Sequence, residues 1–70
     1  MIIRKAILRS FDPQAYSAVL QLAGSDKAWL EGIAVARNIA SSEILAGRHA
    51  AVLLFDENNA KEAVVIAVYA

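Results

Sequence analysis

The side chains in this 70-residue chain that could do chemistry are few, and their spacing excludes most of the chemistry open to them. His49 is the only histidine. An imidazole serves as a general base when a carboxylate orients it or a nucleophile stands within reach, and nothing in the spacing puts Glu43 or Asp56 beside it. It is expected where a strand begins, with one ring edge in water. One histidine and scattered carboxylates make no zinc ligand set, and the absence of cysteine excludes thiolate sites, thiol nucleophiles and disulfides. Asp56-Glu57, with Asn58, Asn59 and Glu62, offers oxygen ligands to a hard cation. It lacks the spacing and glycine of a calcium loop, and reads as a solvated turn. Ser41-Ser42 has no nucleophile elbow around it and suits a helix start. Gly24, Gly32 and Gly47 stand singly, so no phosphate-cradling loop is formed. The expectation is a protein that is not an enzyme, with no catalytic, cofactor-binding or metal residues and no small-molecule substrate identified.

Nucleic-acid contact is the remaining chemistry. A single-strand binder pairs aromatic platforms with a basic groove, and Trp29, Arg37, Arg4, Lys5 and Arg9 are the residues that could supply one. Seven basic and seven acidic side chains cancel to a net charge of zero, however, whereas a phosphate-tracking surface carries a basic excess. Trp29 is therefore read first as a core or interface anchor, and single-stranded nucleic-acid binding is kept as the alternative function.

Composition points to association. The chain is 59% apolar, with the excess in Ala, Val, Ile and Leu, against roughly 45–50% in ordinary soluble domains. Small alanines account for part of it; a surface buried between subunits accounts for the rest. With no net charge, nothing holds copies apart. The longest wholly apolar run, Ala63 to Ala70, is far shorter than the roughly 20 residues of a membrane-spanning helix, and no signal-peptide pattern opens the chain. The sequence reads as one complete domain, residues 1–70, starting at Met1, with no membrane partner and a cytoplasmic or virion-associated location.

Positioning falls to short strands. Met1 to Phe11 alternates so that Ala6 and Leu8 face in while Lys5, Ile7 and Arg9 face out. Asp12-Pro13-Gln14-Ala15 has the residues of a type I turn, and Tyr16 to Ala23 alternates again. Ala28 to Arg37 mixes apolar and polar residues in either phase. A strand is preferred there to a helix, with Gly32 marking a bend or bulge. Asn38 to Arg48 predicts a helix of one to two turns, with Ser41 as N-cap, Glu43 in the first turn, Ile44 and Leu45 buried, and Gly47 at the left-handed position past its end. His49 to Phe55 and Ala63 to Ala70 are the last two strands, joined by the polar segment Asp56 to Glu62. Five strands with a small helix between the third and fourth give an all-β fold, a five-stranded OB-like barrel. An SH3-like barrel is the alternative, although its helical turn falls one strand later.

Phe11-Asp12-Pro13, Trp29-Leu30, Ala46-Gly47-Arg48, Leu54-Phe55-Asp56 and Ala63-Val64-Val65-Ile66 together resemble the OB-fold domain of phage baseplate spike proteins of the gpV and VgrG type. The chain carries neither a β-helical spike nor a lysozyme-like module, so the resemblance implies an OB-like barrel that assembles with copies of itself and has no catalytic centre.

From Ala63 to Ala70 every residue is apolar. A strand covering a core on one side alternates, so both faces of this segment call for cover, and a chain this small has no second layer to provide it. The expected function is a structural assembly module, a homo-oligomer or a filament or particle component, whose interface includes Val64, Ile66, Val68, Tyr69, Leu53 and Trp29. Which phase of the last strand faces the neighbour is left open, and so is the choice between ring and filament.

Overall fold

The structure is a computed structural model that describes residues 1–23, 29–56, 58–59 and 61–70. The alternation of the first segment becomes β1 (Ile2–Asp12), and the remaining strands are β2 (Ser17–Leu22), β3 (Trp29–Val35), β4 (His49–Leu54) and β5 (Ala63–Tyr69). They close into a barrel in the order β1-β2-β3-β5-β4. All pairings are antiparallel except β3 with β5, a parallel seam with only Ala34↔Val64 and Val35↔Val65 in register. Ala36 N–H extends that seam by donating to Val65 O at 2.9 Å. The result is a small all-β barrel of the OB/SH3-like kind, with its helical turn between the third and fourth strands.

The long β1 serves two neighbours. Ile2 to Ile7 pairs with β4 and Ala6 to Asp12 with β2, so one bent strand spans the seam between them. Bending comes from bulges, in which an extra residue on one strand increases local twist and resets the phase of alternation. Leu8↔Leu20 is followed by Ser10↔Val19, which leaves Arg9 as the extra residue in β1. Ala18↔Ile33 is followed by Leu20↔Leu30, so β3 carries its extra residue at Glu31-Gly32. Gly32 has φ +66°, the left-handed region that glycine adopts without a Cβ penalty. This explains why neither simple phase of β3 is clean: Leu30 packs against the core before the bulge, Ile33 and Val35 after it.

One layer of side chains fills the barrel. β1 contributes Ala6 and Leu8, β2 Ala18 and Leu20, β3 Ile33 and Val35, β4 Ala50, Val52 and Leu54, β5 Ala63 and Val65, and Ile44 covers one end. At the turn between β1 and β2, Asp12 Oδ1 accepts from the N–H groups of Gln14 (3.0 Å) and Ala15 (3.5 Å). Tyr16 then takes φ +51°, unusual for a residue with a side chain. Its neighbours hold it there. Its carbonyl accepts from Val35 N–H at 2.9 Å, its hydroxyl donates to Ile39 O, and its ring meets Phe11 edge-on at 5.1 Å.

The helix expected over 38–48 is a single 3-10 turn, Ser41–Glu43. Ala40 rather than Ser41 occupies the N-cap position, and no side chain caps the turn. Ile44 is buried but Leu45 is 48% exposed. Both residues follow the turn instead of lying in it, so no helical face gathers them, and Ile44 alone joins the core. Gly47 does take a left-handed φ, +92°, and its N–H donates to Leu8 O at 2.8 Å.

Gly32→Ala tests the β3 bulge. A Cβ built there meets nothing within 4 Å, so the cost is conformational, about 1–2 kcal/mol. In a domain of this size that lowers Tm by roughly 5–15 °C with an unchanged far-ultraviolet spectrum. An unshifted Tm would contradict the assignment.

Candidate interaction face

Register places the outward residues of β1, β4 and β5 side by side. Ile3 lies opposite Leu53, Leu53 opposite Val64, and Val64 opposite Ala34 on β3. The next row is Lys5, Ala51 and Ala67, and the third is Ile7, His49 and Tyr69. Ile66 is the extra residue of a third bulge, since Ala51↔Ala67 is followed by Val52↔Val65. Of these side chains only Lys5 carries a permanent charge. Ala51 and Ala67 are the smallest side chains of the three rows.

Exposure follows the same division. Among the described residues, eight large hydrophobic side chains are exposed, and six of them (Met1, Ile2, Ile3, Phe55, Ile66 and Tyr69) belong to β1, β4, β5 or the residue flanking one of them. Ile3 is 60% and Ile66 39% exposed. Isolated exposed hydrophobics are ordinary, but contiguous ones mark contact surfaces.

His49 sits inside this face. Its ring stacks on Tyr69, centroids 5.4 Å apart and planes 21° from parallel. Its Nδ1 is buried without a hydrogen-bond partner. The ring is thus a half-buried part of this face, at the start of β4 as the sequence suggests, with its Nδ1 edge turned inward. The flanking Arg48 is turned to Glu43, with Nη1 2.6 Å from Oε2.

Of the residues expected at an interface, Leu53, Val64, Ile66 and Tyr69 lie together on this face. Val68 does not share it. The bulge at Ile66 resets the phase of β5, and Val68 packs against the barrel's own core opposite Ala50. Trp29 is also elsewhere, paired with Gln21 at the start of β3. Ile3, Ile7, Ala51 and Ala67 complete the face and were missed by sequence reasoning. The outward phase of β1 was the available signal; it took the pairing of β1 with β4 to connect that phase to β5.

The residues considered for nucleic-acid contact do not converge. Arg9 Nε donates to Gln21 Oε1 at 2.9 Å and its guanidinium lies 5.3 Å from the Trp29 ring centroid, a cation–π contact. Arg37 lies 5.3 Å from the Tyr16 ring, beyond the other end of β3. Arg4 and Lys5 are consecutive in β1 and so point to opposite sides of the sheet. A cavity of about 380 Å³ lies beside Trp29, lined also by Leu30, Glu31, Ile33 and Lys61. A second, of about 410 Å³, lies between the first hairpin and the 3-10 turn, against Phe11, Pro13, Ser42 and Leu45.

Among the described residues no group of three or more His, Cys, Asp or Glu side chains is placed to hold a metal ion. Glu57 falls outside the described residues. Among the described residues, no helix is long and apolar enough to cross a membrane. Comparison with protein-family models, curated proteins and solved structures finds no match to this chain.

A labelled single-stranded oligonucleotide in low-salt buffer discriminates the nucleic-acid alternative. With basic side chains dispersed over several faces, no saturable binding is expected. Binding that weakens steeply with salt and on Trp29→Ala would reverse that conclusion.

Proposed function

We propose that this protein is a structural module that associates with copies of itself through the outer face of β1, β4 and β5, and that it acts by assembly rather than by catalysis. The observation that carries this reading is the run of largely apolar rows across three hydrogen-bonded strands, interrupted by Lys5 and His49. Removing such a surface from water contributes roughly 25 cal/mol for each Å² of apolar area. A typical stable interface covers about 800 Å² per partner, roughly a fifth of the 4353 Å² that this barrel exposes. The three rows would form its centre.

A second copy fits the face by its chemistry. Zero net charge removes long-range repulsion between identical chains, and the small side chains of Ala51 and Ala67 would admit close approach of a facing strand. Sheets packed face to face lie about 10 Å apart. Closed symmetric assemblies and open filaments both satisfy this geometry.

Two substitutions in adjacent residues of β5 separate folding from assembly. Val65 is fully buried, so Val65→Asp places an unpaired charge in the core and should unfold the domain. Ile66→Asp is expected to leave the circular-dichroism spectrum intact while reducing the mass measured by light scattering at micromolar concentration to that of one chain. Unchanged mass for a folded Ile66→Asp and a folded Leu53→Asp would overturn the proposal.

A further inference from the structure

Building on the self-association reading, we propose that two copies pair about a two-fold axis that sets Lys5 of each against Glu62 of the other, which closes the assembly as a dimer. Phe55 N–H donates to Glu62 O at 2.8 Å, so the pairing of β4 with β5 runs one step past Leu54↔Ala63. On the other side, Ile2↔Leu54 leads on to Met1 beside Phe55. The outer face therefore has a fourth row, Met1, Phe55 and Glu62, and all three residues are exposed.

Among the side chains of these four rows, Lys5 carries the one permanent positive charge and Glu62 the one negative charge. Both are exposed, and among the described residues neither side chain has a hydrogen-bond or ion-pair partner. Nearby charges are engaged elsewhere. Arg48 holds Glu43, Arg9 is turned to Gln21 and Trp29, Asp56 accepts from Asn58 N–H, and Lys61 lines the cavity beside Trp29. Lys5 and Glu62 stand two strands and four residues apart, roughly 16 Å between Cα atoms. That is beyond the reach of a direct ion pair within one chain.

The midpoint of this diagonal is Leu53. Lys5 lies one strand away opposite Ala51, and Glu62 one strand away on the other side opposite Phe55. A two-fold axis in the contact plane, crossing the diagonal at right angles over Leu53, carries each charged corner onto the opposite one of the facing copy. The same line runs on to the bulge where Ile66 lies between Val64 and Ala67. Leu53 and Ile66 then meet their own copies along the axis, apolar against apolar, and both Lys5–Glu62 pairs form at once on either side. The strands of the two copies cross steeply, toward the orthogonal class of sheet packing. An axis along β4 instead lays Lys5 on the second copy's Ala67 and covers its charge unpaired, which desolvation penalises. Exposed pairs at a rim add little affinity, but they fix the register and penalise arrangements that bring like charges together. Each copy spends the same face on this one contact, so the assembly closes at two.

Sedimentation velocity over a concentration series of the full chain, with circular dichroism on every variant, tests the arrangement by charge exchange. The wild type is expected to reach the mass of two chains and no more, with association that weakens as salt is added. Lys5→Glu and Glu62→Lys each place like charges together twice per dimer, and each is expected to weaken association about tenfold. The double variant Lys5→Glu/Glu62→Lys restores both pairs in reverse and is expected to recover the wild-type affinity. Should a reversal fail to fold, Lys5→Gln and Glu62→Gln replace it, each expected to remove the salt dependence. Folded single variants that associate as the wild type does, or a folded double variant no better than the singles, overturn the pairing and leave self-association standing. Growth of the wild type beyond two chains overturns the closed arrangement. A wild type that stays single up to hundreds of micromolar contradicts the self-association reading and this arrangement with it.

Discussion

A closed barrel of five strands has one interior, and each strand can supply it only with alternate residues. Every other outcome in this molecule depends on that limit. Among the described residues, twelve buried apolar side chains fill the inside. Apolar residues in the other phase must lie on the outer wall. β1, β4 and β5 have such residues in adjacent positions, and because the three strands are neighbours in the sheet, their outer halves merge into one surface.

The bulges decide which residues reach it. At Ile66 the extra residue sends Val65 and Val68 inward on either side, so the wholly apolar β5 fills the core along its length and still presents Val64, Ile66 and Tyr69 outward. At Gly32 the same device brings Leu30 and Ile33, three positions apart, to one side of β3. The parallel seam between β3 and β5 is short, so closure rests on the long bent β1, which ties β2 to β4. Twist, closure and the composition of the outer face therefore share one origin.

Much of the architecture is legible in the residues. The five strands, the Asp12-Pro13 turn, the inward pair Ala6 and Leu8, and the bend at Gly32 all follow from alternation and turn chemistry. The segment 38–48 was harder. Ser41, Glu43 and Gly47 are good helix-end residues individually, but Gly47 and Arg48 are hydrogen-bonded to Leu8 on β1, a tertiary tie that local preference does not contain, and the segment forms one 3-10 turn. On β5 the excess of apolar residues was plain, while the inward position of Val68 was not, since a bulge between Val65 and Val68 leaves no mark in a run of uniformly apolar side chains. Which strands lie next to β5 is set by chain topology, and so Ile3 and Ile7 could be recognised as outward but not as neighbours of Leu53, Val64 and Tyr69.

The most direct measurement of the central claim is an isotope-filtered nuclear Overhauser experiment on an equimolar mixture of methyl-labelled and unlabelled chains. The account predicts contacts between chains at the methyl groups of Leu53, Val64 and Ile66, with none at the core methyls of Leu20 and Ile33. An absence of contacts between chains at high concentration, or contacts confined to the β2–β3 side of the barrel, would contradict it.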